Sequence, residues 1–256
     1  MNNFIVRLIS GFILNKEKRR NFRKKYLRAK LSIGFRFILS KYHNNNRIII
    51  IRNDGTQIVN PRFQIKGLNI NWGGANSILK IHESCNFNNC HIFFGNNNVI
   101  EIGASNHNID NLDVCFKMSD NSKIIIGTSF SCVGVKIFLH DEPNNNIKIG
   151  NDCMFSFDIV LWPSDGYTIY DTDTKEVLNS PQKGITIGNH CWIGRSTTFL
   201  KDSGISDNTI VGTCSVITKY FNETNCIIAG LPSKLIKNNV NWDRDNTFAY
   251  KLKGIK

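Results

Sequence analysis

The sequence predicts a mainly β fold, a left-handed parallel β-helix of six-residue repeats, preceded by a basic N-terminal helical segment. Three observations predict it. Large apolar residues stand six apart without a slip at Ile187, Ile193, Phe199, Ile205, Val211 and Ile217. A second register, of small residues, falls four positions after each of the first five, at Cys191, Thr197, Ser203, Thr209 and Ser215. Residues 1–47, by contrast, show helical spacing and hold the whole charge imbalance.

A two-register hexad has a direct physical reading. Each unit forms one face of a triangular coil; the large side chain fills the prism and the small one packs near a corner. Three units, about eighteen residues, close a coil, and coils stack at the strand spacing of roughly 4.8 Å. Gly and Asn suit the corners because they tolerate positive φ, and the triplets Asn96-Asn97-Asn98 and Asn144-Asn145-Asn146 fit such places. Strands of a β-sandwich run longer and keep no such double register.

Residues 1–47 contain 13 Lys/Arg and one acid, Glu17, so the net charge of +12 resides there and the rest of the chain balances. Phe4, Ile5, Leu8, Ile9, Phe12 and Ile13 recur at helical spacing, and Phe22, Tyr26 and Leu27 interleave with the bases of 16–30. A polar break at 43–46 marks the linker, which divides the chain into an arm (1–47), a β-helix (48–237) and a C-terminal tail (238–256). Such an arm can lie on an anionic leaflet, each base contributing about 1 kcal/mol near the surface. It can equally be a solvated helix or pack on the first coil. Nucleic-acid binding is not expected, since the body has no basic stripe.

No window of eighteen uninterrupted apolar residues occurs, and 4–14 is short, contains Arg7 and lacks a small-residue cleavage site. The eight cysteines form no CxxC pair and no cluster with histidine, so no metal site is expected. These features point to a reducing cytoplasm, with peripheral contact at the inner membrane face through 1–42.

Coils before the regular stretch are looser: Ile149, Phe155 and Leu161 continue the hexad backwards, and Ile102-Gly103 and Ile126-Gly127 mark earlier turns. Leu161 and Ile187 are 26 apart, which six does not divide, so a loop within 162–184 leaves the prism. Loops on rigid scaffolds are where sites are built.

Three stretches carry a family likeness. Ile187-Gly188-Asn189-His190-Cys191-Trp192-Ile193-Gly194 resembles the IGxxxWIG coil of the hexapeptide-repeat acyltransferases. Ile210-Val211-Gly212-Thr213-Cys214-Ser215-Val216-Ile217-Thr218-Lys219 resembles their IGAGSVVTK coil, and Ala229-Gly230-Leu231-Pro232-Ser233-Lys234 their AGNPAK turn. The likeness covers 146–237 well and earlier coils loosely, and is nearest to O-acetyltransferases of capsule and lipopolysaccharide loci. It implies a homotrimer with acetyl-CoA in a groove between subunits and a sugar hydroxyl as acceptor. By that resemblance Trp192 walls the acetyl site, Ser196 and Thr213 offer backbone groups to the pantetheine arm, and Lys219 and Lys234 approach the nucleotide phosphates. A subunit contact at Trp192 and solvated surface charges at the two lysines are the plainer readings.

Acetyl transfer to a hydroxyl needs a base for the alcohol proton and donors for the tetrahedral oxyanion. In the family a loop histidine within an SDGH stretch supplies the base. Here the stretch is Ser164-Asp165-Gly166-Tyr167, with tyrosine in the histidine position. A phenol with a reference pKa near 10 is a poor base at neutral pH. Three explanations stand: His140, followed by Asp141 and Glu142, acts as the base; Tyr167 is activated by a neighbour; or the protein binds without turnover. Asp165 orients a partner or simply forms an Asp-Gly turn. The expected function is therefore acetyl-CoA-dependent O-acetylation of a surface polysaccharide, with a non-catalytic trimeric assembly protein as the alternative.

Overall fold

The structure, a computed structural model, describes residues 43–140 and 142–253. The arm expected over 1–42 lies outside the described residues.

A 3₁₀ turn at His43–Asn45 leads into β1 (Arg47–Ile51), which turns back through β2 (Gln57–Val59) and continues to β3 (Leu68–Trp72). From there the chain winds through coils of three short strands. They are β4 (Ile78–His82), β5 (Asn86–Asn88) and β6 (Cys90–Phe94), then β7 (Val99–Ile102), β8 (Asn108–Asp110) and β9 (Leu112–Cys115). Next come β10 (Lys123–Ile126), β11 (Ser131–Cys132) and β12 (Val135–Phe138), then β13 (Asn146–Ile149), β14 (Met154–Phe155) and β15 (Ile159–Leu161). After the loop follow β16 (Ile185–Ile187), β17 (Trp192–Ile193) and β18 (Thr198–Phe199), then β19 (Gly204–Ile205), β20 (Thr209–Val211) and β21 (Val216–Ile217). The stack closes with β22 (Tyr220–Phe221) and β23 (Cys226–Gly230), on which β24 (Ser233–Asn238) folds back, with a short helix α1 (Thr247–Leu252) beyond.

Every third strand belongs to the same sheet, giving three parallel sheets around one core. We call the faces that begin with β1, β3 and β5 faces I, II and III; the chain visits I, III and II in each coil. This is the left-handed parallel β-helix that the sequence predicts. The hexad fills its interior. Ile187 and Ile205 pair on face I, Ile193 and Val211 on face III, and Phe199 and Ile217 on face II, all at most 1% exposed. The columns run back through the irregular coils, as in Ile50, Ile81, Ile102, Ile126 and Ile149 on face I.

The small register is buried because its side chains serve the corners. Thr197 Oγ1 donates to the Gly194 carbonyl at 2.7 Å, Ser203 Oγ to Leu200 at 2.6 Å and Ser215 Oγ to Gly212 at 2.6 Å. Each satisfies a carbonyl that the turn removes from its ladder. The positive φ expected of Gly and Asn is found one residue earlier, at His190, Ser196, Asp202, Asn208 and Cys214, all between 51° and 57°. Four of these five are neither Gly nor Asn: position in the coil overrides residue preference. The expected Asn corners do occur, at Asn97 and Asn144. At the first of these the amides form a ladder, with Asn76 Nδ2 donating to Asn97 Oδ1 at 3.2 Å and Asn97 Nδ2 to Asn121 Oδ1 at 3.0 Å.

The coil from Thr186 to Gly204 takes eighteen residues, whereas Val99 to Lys123 takes 24. The wider early coils are filled by stacked rings, Trp72 on Phe94 at 4.5 Å and Phe94 on Phe116 at 5.6 Å. Antiparallel strands close two open sheet edges, β2 on β1 and β24 on β23, which removes templates for edge pairing.

Candidate functional site

Strand β12 alternates inward and outward, so Ile137 and Leu139 enter the core while Phe138 and then His140 face out at the corner between faces II and I. The Phe138 ring meets the His140 imidazole edge-on at 5.4 Å and lies 5.8 Å from the Trp162 ring of the next coil. The His140 backbone is pinned: its carbonyl accepts from Ser164 Oγ at 3.0 Å and from the Glu142 amide at 2.9 Å. Its Nε2 is buried and has no hydrogen-bond partner among the described residues. A buried ring nitrogen of this kind, held beside an aromatic wall, is an uncommitted proton site. Asp141, read as a neighbouring acid, lies outside the described residues.

The chain leaves the prism after Leu161 and returns at Ile185. Asp165 ties the base of this loop. Its carboxylate pairs with Lys201 of the following coil and accepts from Asn179 Nδ2 at 2.9 Å, while Lys201 Nζ also donates to the Asn179 carbonyl at 2.9 Å. Burial works to raise the Asp165 carboxyl, but Lys201 and Asn179 outweigh it and hold it below the ordinary carboxylate range. Asp165 therefore anchors both limbs of the loop to the prism. Tyr170 bridges Val177 across the hairpin, and Tyr167 projects with 89% of its surface exposed. Within one chain its phenol is in solvent.

Trp192, Ser196, Thr213 and Lys234 form a second group. Trp192 lies on face III, and Ser196 and Thr213 occupy successive corners between faces III and II, joined by the Cys214 amide donating to the Arg195 carbonyl at 2.8 Å. Lys234 follows on β24, beside Ala229. The coils pack closely along this corner. A Cβ on Gly212 would stand 2.8 Å from the Ala229 Cβ, and one on Gly194 would stand 2.7 Å from the Val211 carbonyl oxygen. Lys219 is not in this group: it lies between β21 and β22 with Nζ 5.2 Å from the Phe221 ring centroid. One chain thus brings His140, Ser164 and Asp165 to one edge, and Trp192, Ser196, Thr213 and Lys234 to another side.

Sequence reasoning did not anticipate the use of the tail. Val240, Trp242 and Arg244 bond successively to Asn225, His190 and Asp152, crossing several coils along the corner between faces I and III. Arg244 also reaches Ser131 Oγ at 2.9 Å and the Ser129 carbonyl at 3.0 Å. The roles of Lys201, Asn179 and Ser164 in holding the loop were likewise unread, because contacts between coils depend on how many residues each coil spends.

No family model matches the chain. Its similarity to individual proteins is clear. The polysialic acid O-acetyltransferase of Neisseria meningitidis is 30% identical over 171 residues, covering 67% of this chain and 77% of that protein. The chain belongs to the hexapeptide-repeat acyltransferase family, of the capsule and lipopolysaccharide O-acetyltransferase type. A polysialic acid O-acetyltransferase of Escherichia coli O1:K1 is 32% identical over 123 residues, 48% of this chain. The match spans only 39% of that relative's length. Among solved structures, the polysialic-acid-specific acetyltransferase NeuO superposes with a TM-score of 0.62 at 24% identity, covering 82% of this chain and 95% of that one. That likeness establishes the shared solenoid fold.

Proposed function

We propose that this acyltransferase moves the acetyl group of acetyl-CoA onto a hydroxyl of a bacterial surface polysaccharide or its precursor. The observation that carries the reading is the uncommitted Nε2 of His140, fixed beside Phe138 and Trp162 at the base of the protruding loop. In this reading His140 takes the proton of the sugar hydroxyl as its oxygen attacks the thioester carbonyl. It returns that proton to the departing sulfur, so the ring ends as it began. Backbone groups of the corner near Ser196 and Thr213 would line the path of the CoA arm, with Trp192 at its side and Lys234 toward the phosphates.

The two groups of residues sit on different sides of one prism, which favours a homotrimer in which one copy's His140 edge meets its neighbour's Trp192 side. The catalytic reading is supported over a non-catalytic assembly role by the named O-acetyltransferase relatives. The 13 bases of 1–47 support a peripheral contact of the arm with an anionic inner leaflet. Among the described residues no helix is long and apolar enough to cross a membrane.

The test is release of free thiol from acetyl-CoA in the presence of a panel of saccharides. Acceptor-dependent release supports the proposal; its absence across neutral and acidic glycans overturns it.

A further inference from the structure

Face II carries a second feature, on the edge opposite His140. A groove of about 480 Å³ runs along the corner between faces III and II in the early coils. Its wall on face II is a row of three outward side chains, one per coil: His91 on β6, Asp113 on β9 and Lys136 on β12. At strand spacing these stand roughly 4.8 Å apart along the ladder.

What sets this row apart is that its charges stay open. On face I an equivalent outward row neutralises itself, with Glu101 paired to Lys80 at 3.4 Å and to Lys123 at 2.8 Å. On face II the Asp113 carboxylate and the Lys136 ammonium stand in register on adjacent strands, yet neither has an ion-pair partner among the described residues. The His91 ring hydrogen-bonds Asn89 through Nε2 at 3.3 Å. Along the corner Asn89 Nδ2 donates to Asn111 Oδ1 at 2.7 Å and Asn111 Nδ2 to the Val133 carbonyl at 2.8 Å, which locks the planar amides against the groove. Phe157, 39% exposed, closes one end with an apolar ring face backed by Arg195 at 4.4 Å.

A row of charged groups without ion-pair partners and of fixed planar amides, beside an aromatic ring, is the chemistry that recognises hydroxyl-rich saccharides, whose hydroxyls both donate and accept. The position adds direction. Lys136 and His140 lie on the same strand and its exit, four residues or roughly 13 Å apart at strand rise. A glycan leaving the groove across face II would pass Phe138 and arrive at His140.

We propose that this groove is a remote subsite for the acceptor polymer, holding the glycan chain several units from the hydroxyl that reacts. It makes the enzyme favour long chains over short ones. The proposal rests on the acetyl-transfer reading for the role of His140, but binding at the groove is a separate property.

The test uses the full chain and two probes, polysialic acid of graded length and the neutral glucan dextran. Equilibrium binding is measured first, without acetyl-CoA. Wild type is expected to bind at least one polymer, more tightly as length increases, and Asp113→Ala with Lys136→Ala to weaken that binding about tenfold or more. Failure of wild type to bind either polymer, or equal binding by the variant, overturns the proposal. Thiol release is then followed with long and short acceptors. The variant should raise KM for the long chain and leave kcat and the short-chain KM unchanged. If polymer binding depends on Asp113 and Lys136 while no saccharide promotes thiol release, the transfer reading fails and the groove stands. If long-chain transfer proceeds with unaltered KM in the variant, the groove fails and the transfer reading stands.

Discussion

The rings of His190 and Trp242 stack 4.5 Å apart at 12°, Trp242 Nε1 donates to the His190 carbonyl at 2.9 Å, and His190 Nε2 stands 3.1 Å from the Trp242 carbonyl. Fifty-two positions of sequence separate them. This reciprocal clasp fastens the tail to the hexad coils. Removing the ring with Trp242→Ala is expected to lower stability by about 2 kcal/mol, from lost ring contact and the Nε1 hydrogen bond. Denaturant unfolding, together with earlier proteolytic release of the tail, checks this; an unchanged midpoint contradicts it.

Asp152 gives the clasp a pH dependence. Burial would raise its carboxyl, but hydrogen bonds from His190 and Arg244 prevail and hold it below the ordinary range. A depressed folded pKa stabilises above the unfolded value of about 3.9 and loses that contribution as pH falls through the folded value. The tail should therefore stay protected from protease across neutral and mildly acidic pH and become labile only below about 4. Release that begins near pH 6 would contradict this account.

His140→Ala is expected to cut acceptor-dependent thiol release by a factor of about 10² to 10⁴, the usual contribution of a positioned base, with thermal unfolding unchanged. Tyr167→Phe should cost far less, since the phenol is exposed in a single chain. The reverse ranking would transfer the proton-accepting role to the loop.

Lys201 joins Asp165 and the Asn179 carbonyl, and so sets where the loop stands relative to His140. Lys201→Ala should raise the acceptor KM several-fold while leaving the acetyl-CoA KM in place, and Lys201→Arg should restore much of the loss. Equal effects on both substrates would indicate general unfolding of the coil.

Cysteine labelling can locate the CoA corner. Burial raises the pKa of Cys85, Cys90 and Cys132, and the Cys153 thiol does the same for Cys191, with burial adding to it. Cys214 is exposed, next to Thr213. It should react first with a maleimide, and acetyl-CoA should slow that reaction. Labelling indifferent to acetyl-CoA would remove Thr213 from the binding path.

Much of the architecture could be read before any coordinates, because the packing that defines a solenoid is local and periodic. At Ile187, Ile193, Phe199, Ile205, Val211 and Ile217 the side chain points inward, and Thr197, Ser203 and Ser215 support turns. The site was less legible. His140 could be named as a histidine beside acids, but its free Nε2 and its approach to Trp162 depend on coils of unequal length. His190 was unassigned in the sequence and is committed to the tail, a contact no local pattern announces. Asp165 in an Asp-Gly pair reads equally as turn or orienter; Lys201, 36 positions on, decides that it is an anchor.

The excursion at 162–184 departs from a strand in register and returns to one: Leu161 stays paired with Phe199, and Ile149 with Ile187. The stack above and below never senses how long the detour is, and closing a longer detour costs only about 0.6 kcal/mol per doubling. Such a junction lets the appendage be exchanged as a cassette. New acceptor preferences can then arise by editing one segment while the thioester-handling machinery stays as it is.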